Sequence, residues 1–168
     1  MRKLPKIITQ EEFEKLFAAE DNKEYKLAYL LGFESGMRIS EIVGFKNKVP
    51  ALTPDKIESA QIRIESGKGD KDRIVPRPKR LNSNAIKLLP LKCSRRALQW
   101  RISHLGRKVL GKEITFHTLR HGFGSHLANS GRPLHEVQML MGHSRLDTTG
   151  IYLHANPVKA IEGANDVF

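Results

Sequence analysis

The sequence predicts a mainly α chain with a small antiparallel β-sheet, and two observations predict it. Over most of the chain, apolar residues recur at helical spacing behind residues that cap helix starts. Only from Pro54 to Arg77 does the period change to two, around a glycine-rich tip. At 168 residues the chain can bury a real core, so we expect one compact domain over residues 9–155. A lead-in or linker remnant over 1–8 and a tail over 156–168 flank it.

Each element has its own signal. Thr9 to Glu12 has the form of a capping box, with Phe13, Leu16 and Phe17 following at helical spacing. A second helix, from about Tyr25, carries Leu27, Leu30, Leu31 and Phe33 and should end at Gly36. Ser40 can cap a short third helix, which places Arg38 in the bend between two helices. Ile57, Gln61 to Glu65 and Arg73 to Pro76 form the sheet, with Lys68 between two glycines at its tip. Asn82 to Leu89 reads as a brief helix stopped by Pro90, and Ser94 caps a long one over Arg95 to Leu110. The next helix should run from the neighbourhood of Phe116 to about Asn129, burying Leu119, Phe123 and Leu127. Gly122 and Gly124 within it point to close packing or close ligand approach. A last helix from Pro133 to Met141 should end at Gly142, which throws His143 into a loop.

Composition bounds the function. The 29 Lys plus Arg against 18 Asp plus Glu leave a net charge of +11, which favours a polyanionic partner, nucleic acid or an anionic membrane surface. Charge alone does not choose between them. Cys93 is the only cysteine, so an internal disulfide is excluded and a reducing, cytoplasmic home is expected. No apolar run approaches the ~18 residues of a membrane span.

The candidate chemistry gathers between His117 and Tyr152. His117 and Arg120 sit three apart in a helical pattern, so both side chains can project towards one anionic target, with His143 and Tyr152 as further partners. The helix from Arg95 is basic and amphipathic, suited to a DNA groove, a membrane surface or plain solvent. Arg and Gln at its start are types that read guanine and adenine edges.

Taken in order, Arg38, Lys68, His117, Arg120, His143 and Tyr152 form a set whose local contexts are Gly-Met-Arg-Ile-Ser-Glu at 36–41, Gly-Lys-Gly-Asp-Lys-Asp-Arg at 67–73, His-Thr-Leu-Arg-His at 117–121, Leu-Met-Gly-His at 140–143 and Asp-Thr-Thr-Gly-Ile-Tyr at 147–152. In this order the pieces resemble the catalytic domain of the tyrosine recombinase or phage integrase family, nearest its Xer-like prokaryotic members, over essentially the whole chain. The connection from Lys46 to Leu52 and the glycine at position 150 depart from the family's pattern.

The resemblance implies the family's catalytic-domain fold and a site-specific recombinase or integrase that cleaves and rejoins DNA by a topoisomerase IB-like transesterification. Tyr152 would be the nucleophile, Arg38 and Arg120 the grip on the non-bridging phosphate oxygens, His143 a further hydrogen-bond donor there, His117 the base and Lys68 the acid for the departing 5′ oxygen. It further implies double-stranded DNA as partner, contacts from Arg95, Arg96 and Gln99 in a groove, and phosphate contacts from Lys71, Arg73 and Arg145. The expected assembly is a synaptic tetramer on DNA, with weak or no self-association without it and a C-terminal tail exchanged between protomers. No cofactor, metal or membrane enters this chemistry. The family's usual N-terminal clamp domain has no room here, so a fragment or a minimal form is expected.

Two rivals remain open at this point. His117 and His121, four apart, have ligand-pair spacing for a metal-dependent hydrolase, but the glutamate expected between them in a zinc protease is absent: Thr118 and Leu119 stand there. The other rival is a basic DNA-binding module of the same fold that is inactive or weakly active.

Overall fold

The computed structural model describes residues 6–65 and 72–142. Along them run helices α1 (Gln10–Ala19), α2 (Lys23–Glu34) and α3 (Ile39–Val43), strands β1 (Gln61–Ile64) and β2 (Arg73–Pro76), and helices α4 (Ser83–Ile86), α5 (Arg95–Leu110), α6 (Phe116–Asn129) and α7 (Leu134–Met141). A short 3-10 turn at Pro54–Lys56 leads into β1. No helix among these residues is long and apolar enough to cross a membrane.

The caps lie where the sequence places most of them. Thr9 accepts from Glu12 N while the Glu12 carboxylate accepts from Thr9 N, so both ends of the box are closed. Asn22, Asn82, Ser94 and Thr115 each accept a backbone N–H from the first turn of α2, α4, α5 and α6. α3 differs from expectation. Its cap is Arg38 rather than Ser40, because Glu41 reaches back to the Arg38 N–H at 2.7 Å and starts the helix two residues early.

α2 forms the middle of the core. Leu27, Ala28, Tyr29, Leu30, Leu31 and Phe33 are all buried, as befits a helix covered on nearly every side. α6 lies against it, and α1 packs on α5. Gly122 permits the approach of α6: a methyl group there would stand 2.8 Å from both Ile8 Cγ2 and Phe33 Cε2. The sheet is antiparallel, with Ile62 opposite Val75 and Ile64 opposite Arg73. Ile62, Ile64 and Val75 face the core while Ile74 is exposed. A second, smaller cluster of Phe123, Val137 and Met141 attaches α7 to the end of α6.

Candidate functional site

The site is built where the turn after α2, the start of α3 and the end of α7 meet. After α2 the chain reverses at Gly36, whose φ of +66° lies in the left-handed region. A Cβ there would come within 2.3 Å of Phe123 Cδ1, so the turn sits hard against α6. The reversal aims the Gly36 carbonyl at Arg120, whose Nη1 donates to it at 2.5 Å.

Arg120 is 2% exposed, among the most deeply buried large side chains of the described residues. A guanidinium carries five N–H donors and cannot shed its charge, so its burial has to be met by acceptors. Gly36 O supplies one and Met141 O, near the end of α7, another. Three residues earlier on the same helix, His117 is exposed and its ring meets that of His121 edge to face, centroids 4.3 Å apart. Crowding of the imidazole by neighbouring atoms lowers its pKa from the ordinary value near 6.5, and the positive charges of Arg120 and Arg38 lower it further. Solvent still reaches the residue, but its protonated form is disfavoured. Neutral imidazole is the form that can accept a proton.

Arg38 arrives from a distant part of the chain. Its Nη1 donates to Glu41 Oε1 at 3.1 Å and its Nη2 reaches Gly142 O at 3.4 Å. Gly142 takes a left-handed φ of +62°, which stops α7 and turns out the last carbonyls of the helix. Three consecutive carbonyls are then taken by three arginines: Leu140 O by Arg73, Met141 O by Arg120 and Gly142 O by Arg38. Carbonyls at a helix C-terminus lack intrahelical donors and carry the negative end of the helix dipole, so guanidinium groups suit them twice over.

Glu41 is the residue the sequence reasoning missed. It is 6% exposed, and its carboxylate accepts from Arg38 N, Arg38 Nη1, Arg73 Nη1 and Arg73 Nη2. Its spacing held part of the signal, since a glutamate three residues after the cap can reach back to the cap N–H, which is half of a capping box. Arg73, expected as a phosphate contact, is engaged by this carboxylate. Its side chain is 8% exposed and turns inward to Glu41, because a buried carboxylate needs the paired donors that a bidentate arginine gives.

The sequence-predicted DNA face begins at the start of α5. Arg96 is exposed, and Arg95 lies over the Phe45 ring at 4.3 Å. Gln99 is partly committed: its Oε1 accepts from Phe116 N at 3.3 Å and so serves the open N-terminus of α6. Trp100, 66% exposed, stands on the same stretch and stacks on His104, a feature not anticipated from sequence. Arg101 turns away to Glu20 at 2.9 Å. Lys68, Lys71, His143, Arg145 and Tyr152 lie outside the described residues, as does the tail over 156–168.

A model of the phage integrase family matches residues 90–159. The curated tyrosine recombinase XerA of Thermococcus kodakarensis is 34% identical over 171 residues, covering 90% of this chain and 58% of that protein. A tyrosine recombinase XerC of Pseudomonas fluorescens is 32% identical, covering 91% and 57% respectively. The chain thus spans somewhat under two thirds of the length of the curated relatives it matches. Among solved structures, XerA recombinase superposes with a TM-score of 0.74 at 24% identity, over 99% of this chain and 66% of that one. XerH recombinase bound to its difH substrate in a pre-cleavage complex gives 0.70 at 25% identity, over 97% and 54%. The catalytic domain of bacteriophage HP1 integrase gives 0.69 at 20% identity, over 97% and 95%. A mainly helical fold with one antiparallel strand pair, Arg38 and Arg120 joined over the end of α7, and these matches together identify the chain as a tyrosine recombinase catalytic domain.

Proposed function

We propose that this chain cleaves and rejoins double-stranded DNA at specific sites through a covalent 3′-phosphotyrosyl intermediate. The observation that carries the reading is the meeting of Arg38 and Arg120 on adjacent carbonyls at the end of α7, with both charges acting on the His117 ring. Two guanidiniums so placed suit a phosphodiester whose non-bridging oxygens gain charge as a nucleophile attacks phosphorus. Arg38 and Arg120 grip those oxygens, and His143, next in the chain after Gly142, adds a donor. Comparable arginines contribute on the order of a thousandfold to phosphoryl transfer.

Tyr152 attacks phosphorus. With an ordinary pKa near 10 its phenol is only ~0.1% ionised at neutral pH, so it needs a base and cationic surroundings. His117, held neutral, takes the phenolic proton. The bond to the 5′ oxygen breaks, Lys68 protonates that oxygen, and the DNA remains joined through its 3′ phosphate to Tyr152. Religation runs the same steps backwards. A phosphodiester has been exchanged for another, as in type IB topoisomerases, so no nucleotide or metal is required to conserve the bond.

Arg95 and Arg96 at the start of α5, with Gln99 through its remaining amide donors, face a DNA groove, and Lys71 and Arg145 contact phosphates. The XerH structures contain difH DNA, which supports duplex DNA as the partner here. Assembly on two sites as a tetramer, with the tail over 156–168 exchanged, and action at the nucleoid complete the reading. The test is incubation with duplex DNA nicked beside the scissile phosphate, which traps the adduct by loss of the short leaving strand. Wild type should give a protein–DNA species on a denaturing gel, insensitive to chelator, and Tyr152→Phe none. No adduct from wild type at any concentration would leave only a DNA-binding module.

A further inference from the structure

Arg73 lies five residues after Lys68 and belongs to neither the reacting groups nor the exposed surface. Three of its guanidinium contacts with described residues run in two directions. Nη1 and Nη2 take the two oxygens of Glu41 at 2.8 and 3.1 Å, and Nε takes Leu140 O at 3.3 Å. Its Cδ and Nε occupy the space beside the Gly142 α-carbon, where a methyl group would come within 2.8 and 2.9 Å. Glu41 in turn holds Arg38 by both backbone and side chain. One side chain on β2 therefore ties together the element that bears Arg38 and the turn from which His143 follows.

Charge makes the arrangement directional. Glu41 alone with Arg38 would be a neutral pair, and the carboxylate could follow Arg38 towards any arriving anion. Arg73 holds the same two oxygens from the other side, so the carboxylate is fixed and Arg38 pivots about a fixed point. The bidentate fork also sets the plane of the carboxylate, which a lysine cannot do. Resting on the function proposed above, we infer that Arg73 is a positioning residue: through Glu41 it fixes Arg38, and through Leu140 O it fixes the end of α7, without touching DNA.

The test is single-turnover adduct formation on the nicked duplex for wild type, Arg73→Met and Arg73→Lys, each also in an Arg38→Ala background. DNA affinity and its salt dependence are measured alongside in the Tyr152→Phe background. Methionine preserves the aliphatic contact with Gly142 and leaves Glu41 its Arg38 partner. Arg73→Met should slow adduct formation on the order of 10- to 100-fold, as a small misplacement of a phosphate-binding group does. The log–log salt slope should stay unchanged, whereas a lost phosphate contact lowers it by about one. Arg73→Lys should recover part of the rate, and in the Arg38→Ala background Arg73→Met should cost far less than alone. The inference is overturned if Arg73→Met matches wild type, if its loss follows DNA affinity, or if it multiplies in full with Arg38→Ala. Should Arg73→Met lose its near-ultraviolet dichroism, Arg73→Lys carries the same comparison. Absence of adduct from wild type sinks the functional reading itself, and the inference with it.

Discussion

Gly36→Ala tests how the turn after α2 is coupled to Arg120. The new side chain meets two obstacles. At a φ of +66° a non-glycine residue costs roughly 1–2 kcal/mol. Its Cβ would also stand 2.3 and 2.6 Å from Phe123 Cδ1 and Cε1, so the ring must move. Phe123 is 5% exposed and packs with Val137 and Met141, which leaves it little room, and such overpacking costs typically about 1–3 kcal/mol. The two add to about 2–5 kcal/mol, a large share of the ~5–15 kcal/mol that holds a domain of this kind together. Urea unfolding reads it directly: with a slope of about 1–3 kcal/mol per molar, the midpoint should fall by roughly 1–2 M. Adding Phe123→Leu should return the steric part and leave the backbone part, so the double variant should regain about half. A loss below about 1 kcal/mol for Gly36→Ala, or no recovery in the double variant, would refute the reasoning.

Four further outcomes follow from particular groups. Burial works to raise the Glu20 carboxyl pKa, but donors from Arg101, Asn22 and Tyr29 prevail and hold it below the ordinary 4.5. Its contribution is therefore present above that pH and lost as pH falls below it; Glu20→Gln should cost roughly 1.5–3 kcal/mol at pH 7 and flatten the acid limb of stability. For His117, crowding and then the Arg120 and Arg38 charges depress the pKa, so the folded state resists protonation and stability drops as pH falls from about 6.5. Adduct formation should hold at pH 6.5 and decline only below it, and a decline centred above 6.5 would argue against His117 as the base. Burial, with Glu24 beside it, pushes the Cys93 thiol up to about 11, so alkylation at pH 8 should be slow in the native protein and rapid in urea. DNA affinity should fall steeply with salt, with a log–log slope of about −0.9 per phosphate neutralised, and a flat response would count against a phosphate-lined interface.

Much of the scaffold could be read from the amino acids because its causes are local. Ser94 ahead of an amphipathic run defines α5 to the residue, and Thr9 with Glu12 defines the start of α1. The alternation in Gln61 to Ile64 and Arg73 to Pro76 likewise marks the two strands, while their register, Ile62 opposite Val75, appears only in the structure. What could not be read depends on contacts between distant segments. Glu41 and Arg73 are 32 positions apart, so nothing local distinguishes Arg73 from the other lysines and arginines near it in the sequence. Gln99 has a residue type suited to reading adenine, yet its partner is the N–H of Phe116, 17 positions on. The pairing of Arg38 with Arg120 is a different case: motif order suggested that they meet, but only the left-handed Gly142 shows where.

The central claim, that a phosphate held by Arg38 and Arg120 is attacked by one phenol, is tested most directly by identifying the amino acid that becomes linked to DNA. Adduct trapped on nicked duplex, digested with nuclease and protease and sequenced by mass spectrometry, should carry a nucleotide 3′-phosphate on Tyr152, with Arg38→Ala and Arg120→Ala each depleting that peptide by on the order of a thousandfold. A nucleotide on any other residue, or undiminished labelling of Tyr152 without either arginine, would contradict it.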